Sequence, residues 1–151
     1  MLLLVRDNFL EEIDVEKYRK YVDKSGKIQS IIEDEKMAGE FWSKYGGKLL
    51  DCCCEGKIMK YVTITNSSRP VGRHKDSKMG GEKYKILIYL NSVEKGGTIF
   101  YGGEKGKVRK IENKANRCVI FDMDMEHESE KFDGGEKRTT KKKAIGFRVV
   151  I

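Results

Sequence analysis

The chain has 151 residues, with 31 lysines and arginines against 24 aspartates and glutamates, which gives a formal net charge of +7. This length suits one domain that buries roughly two thirds of its unfolded surface, and it excludes two full-sized domains. Apolar residues make up 38% and charged residues 36% of the sequence, which is more apolar than a disordered chain. We expect residues 1–151 to form a single domain with a small core and a strongly charged surface.

The first residues and the cysteines bear on where the protein resides. The apolar run 1–5 is too short for the core of a signal peptide or for a membrane span. Residues 52–54 are three consecutive cysteines, which cannot pair with one another without severe strain and which lack the C-x-x-C spacing of zinc sites. We therefore expect free thiols in strand or loop positions, no membrane attachment, and an intracellular protein, cytoplasmic or nuclear.

The basic residues concentrate near the C-terminus, where the segment 137–143 alone carries five positive charges. Such a run favours a nucleic acid or another acidic partner, which a basic surface attracts. No aromatic residue interleaves the run, and this favours ordinary solvated lysines instead. Both interpretations remain open from the sequence.

Two helical patterns come first along the chain. Asp14 can cap a first helix that stops at Gly26. The range 28–45 has a second apolar periodicity and ends at Gly46-Gly47, which suits a left-handed helix cap. We expect both helices to pack on a sheet.

The remainder of the chain has the texture of a β protein. Short runs rich in β-branched and aromatic residues alternate with clusters of glycine, asparagine and aspartate, which is typical of an antiparallel sandwich or barrel. The predicted strands are 58–65, 84–90, 98–101, 107–111, 118–121 and 144–151.

The two histidines of the sequence mark a candidate metal site. His74 and Asp76 are two residues apart, so on an extended chain both side chains project from the same face and can chelate one ion. His127 follows the predicted strand 118–121. Two imidazoles and one carboxylate form the facial triad that binds Fe(II) and leaves positions open for a co-substrate and O₂.

Further motifs surround these three residues in a characteristic order. The order resembles that of the 2-oxoglutarate and Fe(II)-dependent dioxygenases, most closely the prolyl-4-hydroxylase-like branch, from about Ile58 to the C-terminus. The segment R-D-N-F-L at 6–10, followed by helices, is also similar to the start of that fold. The motifs are H-K-D at 74–76, I-Y-L-N at 88–91, G-G-T-I-F-Y at 96–101, R-C-V-I-F-D at 117–122, His127 and the final strand A-I-G-F-R-V-V-I at 144–151.

The resemblance implies an α+β, mainly β fold, namely a double-stranded β-helix or jelly roll with N-terminal supporting helices. It implies that His74, Asp76 and His127 are the catalytic metal ligands for Fe(II). It also implies 2-oxoglutarate and O₂ as co-substrates, with ascorbate as an optional reductant, and hydroxylation of an unactivated C–H with release of succinate and CO₂.

Members of this family bind the distal carboxylate of 2-oxoglutarate with a basic residue on the last strand. Aligning that strand assigns the role to Lys142, whereas the sequence G-E-K, which resembles a prolyl-hydroxylase motif, assigns it to Lys137. We prefer Lys142 because residues 144–151 have the apolar content of a barrel strand. Lys143 also remains open.

Two other residues are implied near the co-substrate. Tyr89 matches the position from which the family often donates a phenol hydrogen bond to the same carboxylate, although a core tyrosine has the same pattern. Arg148 either faces the site as a second anion contact or points to solvent.

The resemblance favours a protein or peptide side chain as the substrate. The basic charge and the Phe147-Arg148 ending, which is similar to that of AlkB-type demethylases, keep a nucleic-acid substrate as the alternative. A third hypothesis is a non-catalytic binding module on the same fold, against which the complete set of ligand residues argues.

Overall fold

The structure is a computed structural model that describes residues 1–52, 55–130 and 140–151. Its described elements alternate a strand with each of two helices and continue as strands to the C-terminus. In chain order they are β1 (Leu3–Arg6), α1 (Glu12–Ser25), β2 (Gln29–Glu33), α2 (Glu35–Cys52), β3 (Lys57–Ser67), β4 (Glu82–Tyr89), β5 (Thr98–Phe100), β6 (Arg109–Ile111), β7 (Arg117–Asp122), β8 (His127–Ser129) and β9 (Lys142–Val150).

The strands form two antiparallel sheets within the described residues. The larger sheet has the order β1-β7-β4-β9-β3-β2, and the smaller has the order β6-β5-β8. β9 lies between β3 and β4, with Gly146 opposite both Thr63 and Leu87. The prediction of a mainly β jelly roll with N-terminal helices is confirmed.

The two faces of the larger sheet have different surroundings. Even-numbered residues of β4, such as Ile86 and Ile88, contribute to the core that the helices cover. Phe41 of α2 stacks on Phe147 of β9 with ring centroids 3.9 Å apart. The odd-numbered Tyr89 instead joins a second apolar cluster with residues of the smaller sheet. The site described below lies on this second face, because successive side chains of a strand alternate between faces.

The prediction of one helix over 28–45 is wrong in two respects. Residues Gln29–Glu33 form β2, an outer strand of the larger sheet that pairs with β3. The helix then continues through Gly46-Gly47 to Cys52 instead of stopping there. A Cβ at Gly46 would lie 2.8 Å from the Trp42 ring, so this glycine makes room for the indole within the helix.

Other boundaries differ by smaller amounts. α1 begins at Glu12, and Asp14 lies within its first turn, where it accepts a hydrogen bond from the Tyr45 hydroxyl and pairs with Lys44. The predicted stop is confirmed, because Gly26 has φ +67°. The strands β1 and β8 were not predicted, since each has only four or three residues.

The described residues include no helix that is long and apolar enough to cross a membrane. Cys52 is a free thiol, and Cys118 is buried. Cys52 ends a helix, so its predicted strand or loop position is wrong. Cys53 and Cys54 lie outside the described residues.

Arg148 neither contacts a candidate anion site nor points to solvent. Its guanidinium is buried and donates to the Glu82 carboxylate at 2.7 Å and to the Ser77 carbonyl at 2.5 Å. The same carboxylate accepts backbone N–H bonds of 2.6 Å from Met79 and Gly80. This ion pair therefore attaches the loop between Asp76 and β4 to the central strand of the sheet.

The buried pair makes Glu82 a sensitive position. Burial alone would raise the pKa of Glu82, but the backbone N–H groups and Arg148 outweigh burial and hold it below its usual value of 4.5. The ionised form is thus favoured by folding. Its stabilisation is complete above pH 4.5 and is lost as the pH falls through the lower pKa of the folded state.

We predict that Glu82→Gln lowers the free energy of unfolding by about 3 kcal/mol at pH 7, because it leaves the buried guanidinium without its partner. Denaturant titration of the wild type and the variant at several pH values measures this difference, which should shrink as the pH falls below 4.5. Glu33→Gln, in the exposed pair with Lys60, is the control and should change stability by less than about 0.5 kcal/mol. Equal effects of the two substitutions would contradict the prediction.

Candidate active site

The two histidines are joined through their backbones. His74 and His127 each donate an N–H to the carbonyl of the other, both at 2.9 Å, so the loop before β4 is bound to β8. The ring centroids lie 4.5 Å apart. The reciprocal bonds thus fix the separation of two imidazoles that lie 53 positions apart in the sequence.

Both imidazoles direct Nε2 at Asp76 and contact a backbone carbonyl through Nδ1. Nδ1 of His74 lies 2.6 Å from the Gly72 carbonyl, and Nδ1 of His127 lies 3.1 Å from the Met125 carbonyl. Since a carbonyl oxygen only accepts, both Nδ1 atoms carry protons, and in a neutral ring this tautomer leaves the lone pair on Nε2. A backbone carbonyl bound to the other ring nitrogen is the usual support of a metal-binding histidine.

Asp76 completes a convergent set of donor atoms. Its Oδ1 lies 3.3 Å from Nε2 of His74 and 3.3 Å from Nε2 of His127, and the three ligand atoms lie within 4.8 Å of one another. Two lone pairs directed at a carboxylate oxygen need a cation between them, either protons or a metal ion. The donor set, two imidazole nitrogens and one carboxylate oxygen, is the one that suits non-haem Fe(II).

A fourth residue, which the sequence analysis missed, contacts Asp76 directly. Lys85 of β4 donates from Nζ to Oδ2 of Asp76 at 2.7 Å, and both side chains are at least 90% buried. Burial alone would raise the pKa of Asp76, but Lys85 and the two imidazoles outweigh it and hold the pKa far below its usual range. The hydrogen bond with Asp76 in turn raises the pKa of His74. The carboxylate is therefore ionised at neutral pH.

Lys85 left a detectable signal in the sequence. It has the same strand parity as Leu87 and Tyr89, so a lysine lies on the same face of β4 as two apolar side chains. Lysines are almost never fully buried unless they are paired. Such a position calls for a nearby carboxylate, although the sequence does not say which one.

One cavity contains the three candidate ligands and the predicted co-substrate anchor. His74, Asp76 and His127 line it together with Lys142, which is buried on β9. The Lys142 ammonium lies 5.0 Å from the centroid of the Tyr89 ring. Further lining residues include Thr63, Thr65, Arg69, Val71, Leu87, Thr98, Phe121, Glu128 and Ser129.

Tyr89 is fully buried, and its hydroxyl shares a 2.7 Å hydrogen bond with the Thr98 hydroxyl. The sequence analysis did not identify Thr98, which lines the cavity, whereas Tyr89 is not among the lining residues. The cavity wall therefore offers the Lys142 cation and the Thr98 hydroxyl, and Tyr89 bonds that hydroxyl. They are suitable partners for a carboxylate.

The alternative anchors differ in their position. Lys143 points to the helix side of the sheet, where its ammonium pairs with Asp23 of α1 at 2.7 Å, so it cannot serve the cavity. Lys137 lies outside the described residues. Among the described candidates, only Lys142 lines the cavity.

Comparison with solved structures supports the same fold. A prolyl hydroxylase from Trichoplax adhaerens, in complex with a peptide of the hypoxia inducible factor oxygen degradation domain, has a TM-score of 0.69 at 19% identity, covering 98% of this chain and 83% of its own. A prolyl-4-hydroxylase from Pseudomonas putida has a TM-score of 0.67 at 12% identity, with coverages of 99% and 92%. An alpha-ketoglutarate-dependent epimerase of nogalamycin biosynthesis has a TM-score of 0.67 at 10% identity, with coverages of 98% and 77%.

Sequence comparison gives the family directly. No curated protein matches the chain. Residues 57–146 match the family described as the 2OG-Fe(II) oxygenase superfamily, and this range contains every residue that lines the cavity except Gln29. Since the match covers more than half of the chain, this protein belongs to the 2OG-Fe(II) oxygenase superfamily and is a dioxygenase that uses Fe(II), 2-oxoglutarate and O₂.

Proposed function

We propose that this enzyme hydroxylates a C–H bond of a protein or peptide side chain and that His74, Asp76 and His127 hold its Fe(II). The observation that carries the proposal is the convergence of two imidazole Nε2 atoms and one carboxylate oxygen in a cavity whose wall includes Lys142. The protein holds these donors in place before any ion binds, through the backbone bridge and the Nδ1 hydrogen bonds.

When bound, the Fe(II) supplies the oxidative chemistry that couples decarboxylation of 2-oxoglutarate to succinate and CO₂ with oxidation of the substrate. The protein residues bind and orient the reactants. Lys142 neutralises the distal carboxylate of 2-oxoglutarate, because a buried carboxylate without a cation is unstable by several kcal/mol. Thr98 offers a hydroxyl on the same wall, and buried Tyr89 shares a hydrogen bond with that hydroxyl. Phe121 contributes an apolar surface that limits access of water.

A polar cleft beside the candidate ligands supports a peptide substrate. It is lined by Gln29, Ser30 and Ile31 of β2 and reaches His74 and Asp76. β2 ends the described larger sheet, and an outer strand presents backbone groups that an extended peptide can pair with. The fold neighbour from Trichoplax adhaerens was solved with a peptide.

The first prediction concerns the metal ligands. Replacing His74, Asp76 or His127 with alanine should reduce Fe(II)-dependent formation of succinate from 2-oxoglutarate by at least about 100-fold, because each change removes a ligand. Metal affinity of each variant should fall as well, measured by titration under anaerobic conditions. A His127→Ala variant that keeps wild-type affinity and turnover would show that the ligand assignment is wrong.

The second prediction concerns the co-substrate. Lys142→Ala should weaken 2-oxoglutarate binding by about 2 to 4 kcal/mol while leaving Fe(II) affinity nearly unchanged, because it removes one partner of a buried charge pair. The 2-oxoglutarate dependence of turnover measures the effect. Lys141→Ala removes an exposed neighbouring charge and should change little. A large effect of Lys137→Ala with none at 142 would transfer the anchor to Lys137.

The third prediction concerns the substrate class. Proline-containing peptides and methylated oligonucleotides should be offered in parallel, with succinate formation above the substrate-free rate as the first readout. We expect stimulation and a mass increase of about 16 Da, one oxygen atom, on a peptide. Demethylation of an oligonucleotide alone would favour the nucleic-acid alternative. Iron-dependent succinate formation that neither peptides nor oligonucleotides stimulate would contradict the proposal for the peptides offered.

A further inference from the structure

Lys85 has no role in the metal and co-substrate assignments above, yet it contacts a candidate ligand directly. Its ammonium donates to Oδ2 of Asp76 at 2.7 Å, and its side chain is 7% exposed. Oδ1 of the same carboxylate faces His74 and His127 at 3.3 Å each. The two oxygens of Asp76 thus have separate partners, an ammonium on one side and two imidazoles on the other.

The fold makes room for this lysine. Gly146 of β9 lies opposite Leu87 of β4 and Thr63 of β3, in the centre of the sheet. A Cβ built at Gly146 would lie 3.1 Å from Cε of Lys85 and 3.2 Å from Cβ of Thr63. Any larger residue at this position would press on the lysine, so the absence of a side chain lets Lys85 extend across β9 toward Asp76.

Charge explains why such a contact is needed. Asp76 is 90% buried, and with neutral histidines it would be an uncompensated buried anion before any metal ion binds. The Lys85 ammonium beside this carboxylate neutralises its charge from a fixed position. Because an ammonium is a compact donor, its bond to Oδ2 also restricts rotation of the carboxylate and keeps Oδ1 directed at the histidines.

We propose that Lys85 is a positioning residue of the metal site, the counter-ion that neutralises Asp76 and reserves Oδ1 for the metal. This inference rests on the proposed function, since it takes Asp76 as a ligand. It has a consequence for binding. In the wild type a metal ion enters a site that already holds the positive charge of Lys85, which repels it. Metal binding should therefore stabilise a variant that lacks Lys85 more than it stabilises the wild type.

The first test is a double-mutant cycle in EDTA with Lys85→Met, Asp76→Asn and the double variant. Lys85→Met should lower the melting temperature by about 10 °C, because it leaves a buried carboxylate unpaired. In the Asp76→Asn background, Lys85→Met should lower the melting temperature much less. Lys83→Met is the matched control on the same strand, since Lys83 is exposed, and it should shift the melting temperature by about 2 °C or less.

The second test adds saturating Co(II) to the same proteins. Co(II) should raise the melting temperature of Lys85→Met by at least about 5 °C more than that of the wild type. The visible absorption of bound Co(II) reports its ligand geometry. That spectrum should change in Lys85→Met, where both carboxylate oxygens become available, and stay unchanged in Lys83→Met.

The outcomes separate the alternatives. If Lys85→Met alone does not fold but the double variant does, the pairing with Asp76 is supported; if neither folds, Lys85 serves packing and the proposal is wrong. Additive melting shifts, or equal Co(II) effects and spectra in the wild type and Lys85→Met, also overturn it. A wild type that Co(II) does not stabilise, despite clear coupling of Lys85 with Asp76, would instead overturn the metal site and with it the role of Lys85 toward a metal.

Discussion

The arrangement of the molecule depends on the alternation of side chains along β9, the strand held between β3 and β4. Residues of one parity, including Phe147, pack under the helices and form the main core. Those of the other parity face the cavity side and include Lys142 and Gly146. A shift by one residue would exchange these sets and place Lys142 and Arg148 in the apolar core. The helix-side packing therefore fixes the register that presents the co-substrate anchor.

Paired charges make a polar cavity compatible with a small domain. Asp76 with Lys85 and Glu82 with Arg148 are buried ion pairs that join β4, β9 and the loop between β3 and β4. Forming each pair costs free energy because both charges lose their water. Removing one partner costs more, because the other charge then stays buried without a counter-ion. The segment from Asp76 to Glu82 is consequently fixed at both ends, by the carboxylate of Asp76 and by that of Glu82. A rigid loop suits a metal ligand, whose position must be set before the ion binds.

The two halves of the candidate metal centre come from different sheets. Asp76 is held to β4 of the larger sheet, whereas His127 belongs to β8 of the smaller one. The backbone bridge between His74 and His127 connects them. The site therefore exists only when both sheets are assembled, and the family match over residues 57–146 includes strands of both, from β3 to the first half of β9.

The sequence by itself determined the H-x-D spacing, the two histidines and the order of the strand motifs, because these features depend on local periodicity and on residue type. It favoured Lys142 as the anchor but left Lys137 and Lys143 open. It predicted a helix across Gln29–Glu33, where the structure has a strand, since a short apolar run takes its form from the neighbour with which it pairs. Only the tertiary structure decided that Lys85 joins Asp76 and that Arg148 joins Glu82, 66 positions away. The reason is physical: a buried charge requires a partner, but only the folding of distant strands into one sheet determines which partner is within reach.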